Sequence, residues 1–214
     1  MTPSFRRFML TTHVAASVGW VGALAVFLAH AIASEVSHDL QVVRAACLMM
    51  GITAWLVILP LSLTSLLTGI LQALGTAWGL FRHYWVLVKL LFTAFATAIL
   101  LLKLTPIDYL AKAAAQSTFS ATDNAALKAS LLVHAGGGIV ILFTILVLAI
   151  YKPAGMTRYG LRHLSLQSGA MPASNAVPKW VKVLAVTALV LTLLFALMLF
   201  HGGHGPGTHI HASA

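Results

Sequence analysis

The sequence predicts an all-α fold, a polytopic membrane helix bundle with five transmembrane helices, its N-terminus inside and its C-terminus outside. Three observations predict it. Five apolar runs, about 8–33, 44–72, 85–104, 129–151 and 181–200, each match or exceed the ~20 residues a helix needs to cross a hydrocarbon layer. Of the 214 residues, 60% are hydrophobic and 8% charged, where soluble domains carry about 25% charged residues, so one soluble core could not hide all five runs. The charges are also segregated. In this topology Arg6, Arg7, Arg82, Lys152, Arg158, Arg162, Lys179 and Lys182 fall on one side, with Lys89 just inside the membrane from it. Arg44, Lys103, Lys112 and Lys128 share the other side with all four acids, Glu35, Asp39, Asp108 and Asp123. That bias sets the orientation. The formal charge of +9 therefore points to anionic lipid headgroups at the basic face and to no nucleic-acid partner. The expected location is a bacterial-type inner (plasma) membrane.

Each element has its own signals. The first run follows a short basic tail; it is too long for a signal-peptide core and lacks a small-residue cleavage site, so it is expected to be retained. The short polar loop Ser34–Val43 makes helices one and two antiparallel neighbours. Pro60 is expected to kink the second helix, with Ser62, Thr64, Ser65 and Thr68 satisfying freed backbone groups or lining a polar cavity. Gly75–Tyr84 reads as a tight inner turn. Thr105-Pro106 reads as the N-cap and first position of a short interfacial helix reaching about Gln116. Ser120 to Asp123 resembles a capping arrangement before the fourth helix. Lys152–Pro178, rich in Gly, Ser, Pro and basic residues, reads as a mobile linker. Residues 1–200 are thus expected to form one bundle domain, and 201–214 a flexible histidine-rich outer tail. There is no convincing internal repeat. Trp85-Val86 and Trp180-Val181 open two helices alike, as an aromatic belt would produce.

Ionisable side chains inside such runs are costly and mark candidate sites. His13 lies about two turns into the first helix, with Ser17 and Trp20 on the same face and Gly19 and Gly22 nearby. It is either polar glue between helices or a cofactor or metal ligand. Lys89, one turn into the third helix, either snorkels to the interface or serves the same site. His134 enters from the opposite side and is followed by Gly136, Gly137 and Gly138, where a flat macrocycle or another helix can lie against the backbone. Imidazole is a common axial ligand of haem iron. At 1.5 Å rise per residue, His13 and His134 belong to different depths and should not share one metal. His83 is a further candidate at the inner level, and His30 and His201 at the outer.

The outer level also gathers soft ligands. Cys47 and Met50 are i,i+3, Met49 is adjacent, and Met198 is close to His201, a set that suits Cu(I). Buried packing is the plainer reading of Cys47, which as the single cysteine cannot form an intrachain disulfide. The tail residues His201, His204, His209 and His211 form a tract able to capture Cu(II), Zn(II) or Ni(II).

The stretches HVAASVGWVGALAVFLAH, from His13, and LTGILQALGTAWGLFRHYWVLVKLLFTAF resemble two related groups, the copper-resistance protein D group and the membrane-bound, haem-associated protoporphyrinogen oxidase family. The first-helix His with Trp seven residues on matches His13 and Trp20, and the Trp with Lys four residues on matches Trp85 and Lys89. A broader set of predicted integral membrane proteins is similar over much of the chain. The two group resemblances, carried by short and mostly apolar motifs, cover about the first half. They imply that His13 and Lys89 bracket a b-type haem or porphyrin in the inner half of the bundle. The oxidase pattern has a His between that Trp and Lys where this chain has Leu87, so the resemblance carries the haem pocket further than the oxidase reaction. The copper group implies copper handling across the membrane.

The expected function is that of an integral membrane haem b protein with a redox or electron-transfer role. Its cofactor-binding residues would be His13, Lys89, His134, Trp20 and Gly138, and its partner a quinone or another membrane electron-transfer component. The alternative is a copper-handling or copper-transport protein using His30, Cys47, Met50, His201, His204, His209 and His211. A structural or assembly subunit of a larger membrane complex is the third class. Catalytic residues are not assigned, and a homo-oligomer is compatible with each reading.

Overall fold

The computed structural model describes residues 2–75, 80–162, 177–184 and 186–187. The chain divides into two units, Met1–Asn175 and Ala176–Ala214. In the first unit the helices are α1 (Pro3–Val36), α2 (Leu40–Thr53), α3 (Leu59–Gly75), α4 (Tyr84–Ala115) and α5 (Ala125–Tyr151). A π-helical turn, Ala54–Ile58, joins α2 to α3 in one continuous rod. Among the described residues there is no strand, only an isolated antiparallel bridge between His83 and Met156. Four rods, Pro3–Val36, Leu40–Gly75, Tyr84–Ala115 and Ala125–Tyr151, are long and apolar enough to cross a membrane. In the second unit, residues 179–184 and 186–187 are helical. The remainder of the fifth expected span and the tail histidines His201, His204, His209 and His211 lie outside the described residues.

The rods form a ring. α1 packs on α2, α3 and α5, the α2–α3 rod packs on α4, and α4 packs on α5. Side-chain pairs show that α1 and α3 are antiparallel: Gln72 faces Met9, Thr68 faces His13, Ser65 faces Ser17 and Leu61 faces Gly19. Helix starts follow local chemistry. Thr2 accepts from the Phe5 N–H with Pro3 in the first turn, and Asp39 accepts from the Gln41 N–H.

The apolar core is a set of helical stripes: Trp20, Ala23, Phe27 and Ala31 on α1, Val43, Cys47 and Met50 on α2, and Leu104, Ile107 and Leu110 on α4. It does not run the full length of the bundle. On α4 no described residue from 80 to 96 is buried, and Thr97 is the first that is. On α1 the first buried residue is Ala16. Toward the basic end the described residues of α1 before Ala16 and of α4 before Thr97 are partly or fully exposed, while α3 keeps Ser65 and Thr68 buried beside His13 and α5 keeps Leu142 and Leu148 buried.

The two ends differ in charge. Glu35, Asp39, Asp108 and Asp123 all belong to the end formed by the α1–α2 and α4–α5 connections, the acidic end. Arg6, Arg7, Arg82, Lys152, Arg158 and Arg162 belong to the opposite, basic end.

Several expectations from sequence need correction. The helices are longer than the apolar runs, because polar residues at their ends stay helical beyond the hydrocarbon stretch. No separate helix begins at Pro106: α4 continues through it to Ala115, carried by the buried stripe Leu104, Ile107, Leu110 and Ala114. Pro60 is accommodated by the π-helical turn just before it, in which the Leu59 N–H bonds to the Ala54 carbonyl one residue beyond the α-helical partner. The segment after Tyr151 is not wholly free. Thr157 N–H donates to the Arg82 carbonyl at 2.9 Å, Tyr84 N–H donates to the Gly155 carbonyl, and the Thr157 hydroxyl donates to the Phe81 carbonyl. Residues 152–162 thus dock on the turn that leads into α4. The Ser120–Asp123 pairing is present, with Ser120 N–H donating to the Asp123 carboxylate at 2.8 Å, and α5 starts after Asn124, whose φ of 56° is the left-handed conformation Asn tolerates. Part of the expected inner turn, residues 76–79, lies outside the described residues.

Candidate functional site

His13 sits at the centre of a polar seam between α1 and α3. Its Nδ1 is 3.0 Å from the Ser65 carbonyl oxygen and 3.1 Å from the Thr68 Oγ1. One turn further along α1, the Ser17 and Ser65 hydroxyls are 2.8 Å apart. One turn back, the Gln72 amide donates to the Met9 carbonyl at 3.0 Å. The residues of the seam recur every third or fourth position on each helix, so one face of α1 meets one face of α3.

These partners fix the histidine tautomer. A carbonyl oxygen can only accept, and the Thr68 hydroxyl already spends its proton on the Thr64 carbonyl at 2.6 Å. His13 Nδ1 is therefore the donor, and in the neutral ring Nε2 carries the lone pair. Nδ1–H given to a backbone carbonyl, with Nε2 left as the base, is the arrangement found for histidines that bind metals through Nε2. The same bond also ties α1 to α3, so the structural and ligand roles use different nitrogens of one ring.

Lys89 approaches this region from α4. Its Nζ is 5.7 Å from the centre of the Trp85 ring, a cation–π contact. Trp20, on the same face of α1 as His13, is 3% exposed and belongs to the edge of the apolar core.

His134 is held differently. Its Nδ1 bonds to the carbonyl of Ser130, four residues earlier on α5, so this bond ties the ring to its own helix and also leaves Nε2 as the base. Gly138 is taken up by the α1–α5 crossing, where a Cβ would come within 3.0 Å of a Leu24 methyl. Gly136 and Gly137 are the open glycines of that run, with nothing near an added Cβ. With Gly138 opposite Leu24, His134 lies nearer the acidic end than His13 by roughly 20 Å along α1. The two histidines cannot share one ion.

Of the soft-ligand set, Met198 and His201 lie outside the described residues. Cys47 and Met50 are both 0% exposed and packed in the apolar core. His30 carries a buried Nδ1 with no hydrogen-bond partner among the described residues. No three of His, Cys, Asp and Glu converge as a metal site among the described residues. His83 lies at the start of α4, its backbone bridged to Met156.

Two cations have roles that their sequence positions did not reveal. Arg44 Nη2 donates to the carbonyls of Gln116 and Ser117, each at 2.9 Å, closing the C-terminal end of α4. Lys128 is 3% exposed and donates to the carbonyls of Ser34, near the end of α1, and Ala121. Both place a positive charge near the C-terminal end of a helix, Arg44 at α4 and Lys128 at α1, where the macrodipole favours it. Their partners are backbone oxygens, which have no side-chain signature to read.

No protein-family model matches this chain, and neither a curated protein nor a solved structure matches it.

Proposed function

We propose that the protein is an integral membrane b-type haem protein with a redox or electron-transfer role. The observation that carries this reading is the state of His13: Nδ1–H engaged by the Ser65 carbonyl and Nε2 left as the base, inside a helix long and apolar enough to cross a membrane. The residues present suit the group. His13 would hold the iron through Nε2, Lys89 would be a second ligand or would pair with a propionate, and Trp20 would close the pocket toward the apolar core. His134 would serve a second haem or metal toward the acidic end. Bound haem would supply one-electron chemistry, with the protein setting ligand, burial and polarity. Ser65 and Thr68 hold the His13 ring in one orientation.

The accompanying topology is five spans with the basic end in the cytoplasm of a bacterial-type cell, which supports a quinone or another membrane electron-transfer component as the partner. The test is an absorption spectrum of the detergent-purified full chain, oxidised and reduced. The expected result is a Soret band with reducible α and β bands, its haem content lowered in His13→Ala by the haem that His13 holds and unchanged in His30→Ala. Stoichiometric copper without a Soret band would replace this reading with copper handling. Neither cofactor would leave His13 as a helix tie in an assembly subunit.

A further inference from the structure

The rod formed by α2 and α3 changes register where the π-helical turn interrupts it. On α2 the buried stripe is Val43, Cys47, Met50 and Ala54, alternating steps of four and three residues as in a helix packed along a bundle. Continued at that spacing, the stripe would next bury Val57 and, at seven-residue intervals, Thr64 and Leu71. The chain instead uses the residue after each. Ile58 is 1% exposed where Val57 is 39% exposed, Ser65 is buried and meets Ser17, and Gln72 reaches Met9 where Leu71 is 46% exposed. One extra residue is therefore absorbed in the rod, and Ala54–Ile58 is where it is taken up. The face presented beyond the turn is offset by about 100° from the face of an unbroken α-helix.

Pro60 explains why the turn is there. In an unbroken α-helix its ring would collide with the Leu56 carbonyl, and it has no N–H to give that oxygen. Pro60 is exposed and outside the apolar core, so its effect is on the backbone. What the offset secures is the seam with α1: the Ser65 carbonyl and the Thr68 hydroxyl meet His13 Nδ1, and Gly69 leaves room for the ring. We infer that Pro60 is a positioning residue for His13, holding α3, through the π-helical turn, in the rotation that puts Ser65 and Thr68 on the imidazole. This deepens the haem reading, on which it rests for what Nε2 binds and not for the register itself.

The test is the rate of disulfide formation in the full chain in detergent, in a Cys47→Ala background. One pair is Ser17→Cys with Ser65→Cys, the other Ser17→Cys with Thr64→Cys. The Ser17 and Ser65 hydroxyls are 2.8 Å apart, so the first pair should close fast and the second slowly. Adding Pro60→Ala lets the turn relax to α-helix. The 17–65 pair should then close at least about tenfold more slowly, and the 17–64 pair faster. Deleting Val57 from the Pro60→Ala chain removes the extra residue and should restore 17–65 closure. In chains that keep Ser17, Thr64 and Ser65, haem content should fall in Pro60→Ala by the haem that His13 holds and return with the deletion. Unchanged 17–65 closure in Pro60→Ala would overturn the inference. So would a loss with no gain at 64, a loss that the deletion does not reverse, or a haem content indifferent to the shift. An intact protein without haem would overturn the haem reading and leave the cross-linking result standing.

Discussion

Gly69 lies against the imidazole of His13: a methyl group in its place would stand 3.1 Å from Cε1. The ring cannot withdraw freely, because its Nδ1 is engaged by Ser65 and Thr68. Gly69→Ala should therefore set a crowding cost of about 1–3 kcal/mol against a helix-propensity gain of about 1 kcal/mol. The expected outcome is a net loss of stability in detergent unfolding. In a His13→Ala background the same substitution should become stabilising, because the obstacle is gone. An identical effect in both backgrounds would show that the two residues do not press on each other.

The hydroxyl of Thr68 is the second support of that ring. Thr68→Val keeps the shape and removes the acceptor, leaving Nδ1 with the Ser65 carbonyl alone. The expected cost is about 1 kcal/mol of stability. If Nε2 binds haem iron, haem should be held about tenfold less tightly, as for other losses of an outer partner of a ligand histidine. The Soret band should persist and shift. A wild-type haem affinity and band position in Thr68→Val would count against iron at Nε2.

Much of this was legible in the chain itself, and the failures have physical causes. The four described rods coincide with apolar runs because a membrane helix must satisfy its own backbone and show apolar side chains to lipid. The shared face of His13, Ser17 and Trp20 also follows from helical spacing, and the structure puts Ser65 and Thr68 across from it. Pro106 misled because proline at a helix start and proline inside a helix look alike locally. The buried spacing of Leu104, Ile107, Leu110 and Ala114 across it is the signal that decides for continuity. The docking of 152–162 was hidden for a different reason. It depends on backbone bonds to Phe81 and Arg82, and a Gly- and Ser-rich composition reads the same whether such bonds form or not.

Lys128 and Arg44 provide a graded comparison at the acidic end. Lys128 is buried, so Lys128→Met leaves the Ser34 and Ala121 carbonyls without their donor and should cost about 2–4 kcal/mol. Arg44 bonds to carbonyls that water can reach, so Arg44→Gln should cost only about 1 kcal/mol. Both should speed amide hydrogen exchange in residues 116–128, Lys128→Met the more. The reverse order would mean that the Lys128 ammonium is already hydrated.

α2 and α4 lie close together at Gly51, where an added Cβ would come to 2.9 Å from the Ala111 Cβ. Neither atom can rotate away, since both are fixed to helix backbone. Gly51→Ala must therefore move the helices apart. The residues beside the contact, Met50 and Leu110, are 0% exposed, so separation loosens a filled core and should cost about 1–3 kcal/mol despite the better helix propensity of alanine. Ala111→Gly alone should cost about 1 kcal/mol through backbone entropy. The double variant moves the methyl group from one helix to the other and restores the spacing. It should be more stable than Gly51→Ala alone, with a coupling of about 1–2 kcal/mol in a double-mutant cycle of unfolding in detergent. Strict additivity of the two changes would mean that α2 and α4 do not meet at this point.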